Sequence, residues 1–146
     1  MCFNLTILGS ASALPDSRQI STAQVLQYKN QYYLFDCAEG TQIRLRQNKI
    51  AFARINYIFI SHLHGDHYFG IFGLLKSFEL LGRRKALNIY SPPGLKKKIN
   101  TVFEEIESKF PLIFHELDVE KPALALDKKT FYVKSFPLKH RTHTCG

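Results

Sequence analysis

Ser61-His62-Leu63-His64-Gly65-Asp66-His67 follows directly on the apolar run Tyr57-Ile58-Phe59-Ile60, and this junction constrains the fold more than any other stretch. A packed domain gains nothing from gathering imidazoles and a carboxylate just past a buried strand unless they grip something in common. With Tyr57 to Ile60 as a strand, His62 and His64 are two residues apart and point the same way in extended backbone, so both rings can face one ion. Gly65 permits a bend that a Cβ would obstruct, which swings Asp66 and His67 round to a second position nearby. The spacing predicts a two-metal site. Zinc is the first choice because imidazole and carboxylate suit it and thiolate-free sites tend to be catalytic, while iron and manganese accept similar donors.

The remaining chain supplies a scaffold for that loop. Phe3 to Leu8 reads as a first strand ending in the small residues Gly9-Ser10-Ala11-Ser12, and a polar loop runs from Ala13 to Gln19. Ala23 to Tyr28 and Tyr32 to Phe35 read as a hairpin round Lys29-Asn30-Gln31. Asp36 then closes a strand and precedes a helix whose apolar side is Ile43, Leu45 and Ile50; its carboxylate suits either orienting a ligand histidine or capping that helix. Tyr68 to Leu81 is too long and apolar for a strand and predicts a buried helix from about Phe69, with Gly70 and Gly73 allowing close packing and Phe69, Phe72 and Phe78 in the core.

Leu87 to Tyr90 is a further strand. Pro92-Pro93-Gly94 opens a helix with Leu95, Ile99, Val102, Phe103, Ile106 and Phe110 at helical spacing, and Lys96, Lys97, Lys98, Glu104, Glu105 and Glu107 turned to water. Leu112 to Leu117 and Phe131 to Phe136 are expected as strands joined by a charged, proline-containing link, with His115 a strand residue of no assigned role. A metal gripped by His62 and His64 needs a third nitrogen from another strand end. His140 and His143, in the loop after Phe136, both qualify.

A chain of 146 residues, 45% hydrophobic, forms one domain at most. No apolar run approaches the roughly 18 residues of a membrane span, and the start lacks a basic segment leading into an apolar one, so a cytoplasmic protein is expected. Cys2, Cys37 and Cys145 are scattered and odd in number, against a disulfide framework. Twenty Lys and Arg against twelve Asp and Glu give a net charge of +8, which suits a polyanionic partner.

At His62, His64, Asp66 and His67 the sequence resembles the metallo-β-lactamase superfamily, whose H-x-H-x-D-H signature it matches throughout. Gly9-Ser10-Ala11-Ser12-Ala13, Asp36 to Gln42, Ser61 to Gly70, Ser91 to Leu95 and Pro137 to Gly146 narrow the resemblance to the ribonuclease Z family, endonucleases that trim the 3′ trailer from precursor tRNA. The resemblance implies an α/β fold, a four-layer αββα sandwich of two similar halves, with this chain giving about the first half as a mixed sheet with flanking helices. It implies that His62, His64 and His140 bind a first zinc, that Asp66 and His67 bind a second, and that Asp66 also accepts the proton. It matches Asp36 to the family's acidic position before the helix, and Asp36 is expected as an outer-shell residue of the site. It leaves Arg18 as a candidate RNA contact, in a loop reading P-D-S-R-Q where relatives carry P-x-K-x-R-N.

The partners implied are precursor tRNA and, for the whole protein, a second copy in a homodimer, with no membrane. The family's remaining metal donors and its catalytic His and Glu would lie beyond Gly146. Residues 1–146 are therefore expected to be the N-terminal part of a single domain, inactive alone, with one sheet face left bare. Two other expectations compete: another phosphodiesterase of the same fold, acting for example on a cyclic nucleotide, and a non-catalytic module that pairs with another chain.

Overall fold

Alternation of side chains along the strands divides the molecule into two cores. The computed structural model describes residues 3–14, 16, 18–103 and 109–146. Its central sheet has six strands in the order β1-β2-β3-β4-β5-β6, formed by Phe3–Gly9, Ala23–Tyr28, Gln31–Phe35, Ile55–Phe59, Leu87–Ser91 and Leu112–Glu116. The first three strands meander antiparallel, and β3 to β6 run parallel. Helices α1 (Thr41–Gln47), α2 (Gly65–Tyr68), α3 (Gly70–Leu80) and α4 (Leu95–Phe103) make the connections.

One face of the sheet is aliphatic. Val25, Leu34, Ile58, Ile60 and Ile89 pack there with Leu45 of α1, Ile71, Leu74 and Phe78 of α3, and Leu95 and Ile99 of α4. The other face is aromatic. Phe35 stacks on Phe59 at 5.0 Å, Phe59 on Tyr90 at 4.6 Å and Tyr90 on His115 at 4.2 Å, a ladder across four parallel strands. His115 is thus a half-buried strand residue, and its ring nitrogen meets Asn88 at 2.9 Å.

That second face is not bare. A hairpin of β7 (Ala123–Lys128) and β8 (Phe131–Ser135) lies over it and brings Phe131 against Tyr28 and Tyr33 at 5.0 and 5.3 Å. The charged link expected before Phe131 therefore contains a strand: Ala123-Leu124-Ala125-Leu126 pairs with β8 and buries Leu126. Both edges of the sheet stay open on this face: Phe3, Leu5 and Ile7 of β1 are exposed, and so is Ile113 of β6, two residues before His115.

Three other expectations change. Ile43 and Val102, assigned to apolar helix sides, are each 57% exposed, and Phe69, assigned to the core, is 49% exposed. Leu45, Ile50, Phe78 and Phe110 are buried as expected. The helix from about Phe69 begins as the short α2 and continues as α3. A Cβ on Gly70 would overlap the Ala38 carbonyl, and the Gly70 N–H donates to the Cys37 carbonyl at 2.9 Å, so this glycine is required by backbone contact. Ile106, Glu104, Glu105 and Glu107 of the second predicted helix, Pro15 of the polar loop, and Cys2 lie outside the described residues.

Cys37 and Cys145 are free and buried, and burial pushes the Cys37 thiol up to about 12. No helix among the described residues is long and apolar enough to cross a membrane.

Candidate metal centre

The carboxyl ends of the parallel strands converge on one rim of the sheet, the position where open α/β sheets hold ligands. Main-chain bonds carry the ladder past the strands: Asp36 N–H donates to the Phe59 carbonyl and Ile60 N–H to the Tyr90 carbonyl, both at 2.8 Å. Beyond Ile60 the chain turns through Ser61 to His64 into α2. His140 arrives from a two-stranded ribbon, β9 (Pro137–Leu138) and β10 (Thr144–Cys145), which the Cys145 N–H ties to the Ser61 carbonyl at 2.9 Å.

His62, His64 and His140 meet there, each offering one ring nitrogen, and these atoms all lie within 4.8 Å of one another. His62 Nε2 is 3.2 Å from His64 Nδ1, and His140 Nε2 is 3.3 Å from the same atom. Nitrogens about 2.0–2.1 Å from a tetrahedral divalent metal stand about 3.3 Å apart, so the spacing fits a metal between the rings. Burial pushes the His62 pKa down to about 4, with the neighbouring His67 and His64 adding to the effect, so the ring is neutral and able to ligate at neutral pH. Among the described residues His143 is exposed and outside this group, whereas His140 is part of it.

Asp66 and His67 form the adjoining pair, with Asp66 Oδ2 3.7 Å from His67 Nε2 and the His67 ring centroid 3.8 Å from that of His62. Asp66 Oδ2 also accepts the Ala13 amide at 3.3 Å, which brings the small-residue loop after β1 to the site; Ala13 adopts a left-handed φ of 48° to do so.

Asp36 stands against His67 and Ser61. The N-cap of α1 is Gly40, with no side-chain cap, which removes the capping alternative for Asp36. Its Oδ2 accepts His67 Nδ1–H at 2.8 Å and the Ser61 hydroxyl at 3.0 Å, and its Oδ1 accepts the Ser61 amide at 2.8 Å. Arg18 is not drawn in: its exposed guanidinium pairs with Asp16 at 3.7 Å, and its carbonyl accepts from Arg44.

The sequence reasoning missed Ser61 as a polar partner of the histidines. It also missed the buried Arg83, which donates to the carbonyls of Ile55, Lys85 and Ala86 at 2.9, 2.7 and 2.8 Å. No periodicity marks one arginine of the basic run Arg83-Arg84-Lys85 after a helix as buried.

A mixed sheet with helices on one face, and a histidine cluster at its rim, make this a metallo-β-lactamase-fold protein with a site for a divalent metal. The chain belongs to the family described as "Anti-Pycsar protein Apyc1", whose model matches residues 3–109. It is 41% identical over 146 residues to ribonuclease Z of Bacteroides fragilis, covering 99% of this chain and 48% of that protein. To ribonuclease Z of Bacteroides thetaiotaomicron it is 43% identical over 150 residues, covering 99% and 46%. The crystal structure of human tRNase Z, short form, superposes with a TM-score of 0.87 at 35% identity, covering 97% of this chain and 62% of that one. The metallo-β-lactamase-fold protein YhfI of Bacillus subtilis gives 0.77 at 17% identity, covering 98% and 55%. The chain spans about half the length of the curated relatives it matches.

Proposed function

We propose that this chain carries the metal-binding part of a zinc-dependent endoribonuclease that removes the 3′ trailer from precursor tRNA and leaves a 3′-hydroxyl. The observation behind the proposal is the meeting of His62, His64 and His140 beside Asp66 and His67, in a chain similar over nearly its whole length to proteins named ribonuclease Z.

In this reading the three imidazoles hold a first zinc, and Asp66 and His67 contribute to a second. Bound there, the pair of cations would supply a water acidic enough to attack at neutral pH and would neutralise charge on the scissile phosphate. Asp66 accepts the proton, and the Ala13 amide donates to its Oδ2, the oxygen nearest His67 Nε2. Asp36 holds His67 so that Nε2 faces Asp66. The net charge of +8 favours a nucleic-acid backbone, and Arg18, exposed near α1, is a candidate RNA contact.

The donors that the second position lacks among these residues would come from the other half of a single domain, of which residues 1–146 are the N-terminal part. The whole protein would act as a homodimer. The 146 residues alone would then bind metal but not cleave.

Elemental analysis and a precursor-tRNA cleavage assay, on these residues with and without a co-expressed C-terminal half, test this. Zinc with trailer release only in the reconstituted pair is expected; no zinc and no cleavage in that pair would refute it. The family name matched over residues 3–109 differs from that of the curated relatives, which supports one second reading, a sibling phosphodiesterase of another substrate. Cleavage of a cyclic nucleotide or a model diester without any preference for tRNA would favour that reading.

A further inference from the structure

Ser61 sits between both groups of donors. Its Oγ lies 3.0 Å from Asp36 Oδ2, 3.1 Å from His62 Nδ1 and 3.2 Å from His67 Nδ1. A hydroxyl has one hydrogen to give, and a carboxylate only accepts. The Ser61 hydrogen is therefore committed to Asp36, and toward His62 the same oxygen acts as an acceptor. The proton of the neutral His62 ring must then sit on Nδ1. This leaves the Nε2 lone pair free on the side where it meets His64 Nδ1 at 3.2 Å.

We infer that Ser61 is a positioning residue that passes the acceptor character of Asp36 on to His62 and fixes that ring as the Nδ1–H tautomer, with Nε2 turned to the metal. One carboxylate would thus orient two histidines, His67 by a direct bond at 2.8 Å and His62 through one hydroxyl. The inference rests on the reading of the cluster as a metal site and is independent of the substrate.

Two-bond nitrogen–proton NMR spectra of the metal-free protein labelled with 15N at histidine read the tautomer directly. In the unaltered protein His62 and His67 are expected as Nδ1–H. In Ser61→Ala, His62 reverts toward the Nε2–H form that free imidazole prefers while His67 stays Nδ1–H, and Ser61→Thr restores His62. Zinc affinity falls about tenfold in Ser61→Ala and recovers in Ser61→Thr. The Ser61 carbonyl still receives Cys145 N–H in both variants, so backbone amide spectra should overlay outside the site.

An Nε2–H His62 in the unaltered protein, or an Nδ1–H His62 persisting in Ser61→Ala, overturns the inference. Measurement on the unaltered protein decides it even where the alanine variant does not fold. Absence of zinc binding by the unaltered protein would instead sink the metal reading, leaving the tautomer result to stand by itself.

Discussion

Replacing Asp36 by Asn isolates what the carboxylate contributes. Asp36 has a left-handed φ of 54°, which Asn tolerates well, so the substitution adds no backbone strain of the kind alanine would bring. Asn Oδ1 can still accept the Ser61 amide. The NH2 group that replaces Oδ2 then confronts two donors, His67 Nδ1–H and the Ser61 hydroxyl, now at 2.8 and 3.0 Å from an acceptor. Each hydrogen bond to a charged group is worth about 1.5–3 kcal/mol, and both side chains are largely buried. The hydroxyl can turn to accept from the new amide, so one donor rather than two loses its partner and the net cost is about 2–3 kcal/mol. If His67 ligates a metal as proposed, losing the partner that orients it should also weaken metal binding by about 10–100-fold. Urea unfolding of the metal-free protein and a chelator-competition titration with zinc measure the two effects. Equal unfolding midpoints and zinc affinity within about twofold in Asp36→Asn would refute this account of the site.

Other perturbations have comparably definite outcomes. Arg83→Met removes donors to three carbonyls and to Asn56 Oδ1 and a cation lying 4.8 Å from the Phe78 ring, and urea unfolding should show a loss of about 3–4 kcal/mol. The His62 pKa of about 4 in the folded chain lies below the ordinary value of 6.5, so the unfolded chain takes up the proton first. Stability of the metal-free protein is then fully present above about pH 6.5 and falls by up to about 3 kcal/mol as pH drops toward 4; urea midpoints across that range should show the fall, and His62→Asn should flatten it. Chelating the metal should raise hydrogen exchange at the Cys145 and Gly146 amides more than at β4 and β5, because the short ribbon bearing His140 has few other bonds to the domain; uniform change would contradict the role of His140.

Local signals were legible in the chain, and those set by distant neighbours were not. The parallel strands and the long apolar helix announced themselves because burial on both faces leaves continuous hydrophobic runs such as Tyr57 to Ile60. The His62 to His67 cluster was legible because its donors are crowded into one loop. β7 was not, since Pro122 and flanking charges outweigh a four-residue alternation whose meaning depends on pairing with β8. Ile43 and Val102 kept helical spacing yet face outward, since spacing places a residue on a stripe without saying how wide the covering surface is.

The same distinction explains the two sets of donors. His62 and His64 are fixed to one another by two residues of chain, but His140 joins them across 76 residues, carried by a ribbon whose register depends on the Cys145 bond to Ser61. Ser61 therefore meets the site in three ways: its carbonyl anchors the strand that delivers His140, its amide rests on Asp36, and its hydroxyl touches His62 and His67. A short hydroxyl-bearing residue is needed there, because a side chain bulkier than threonine would push apart rings whose centroids are 3.8 Å from each other, and an apolar one would leave Asp36 with fewer donors than its position demands.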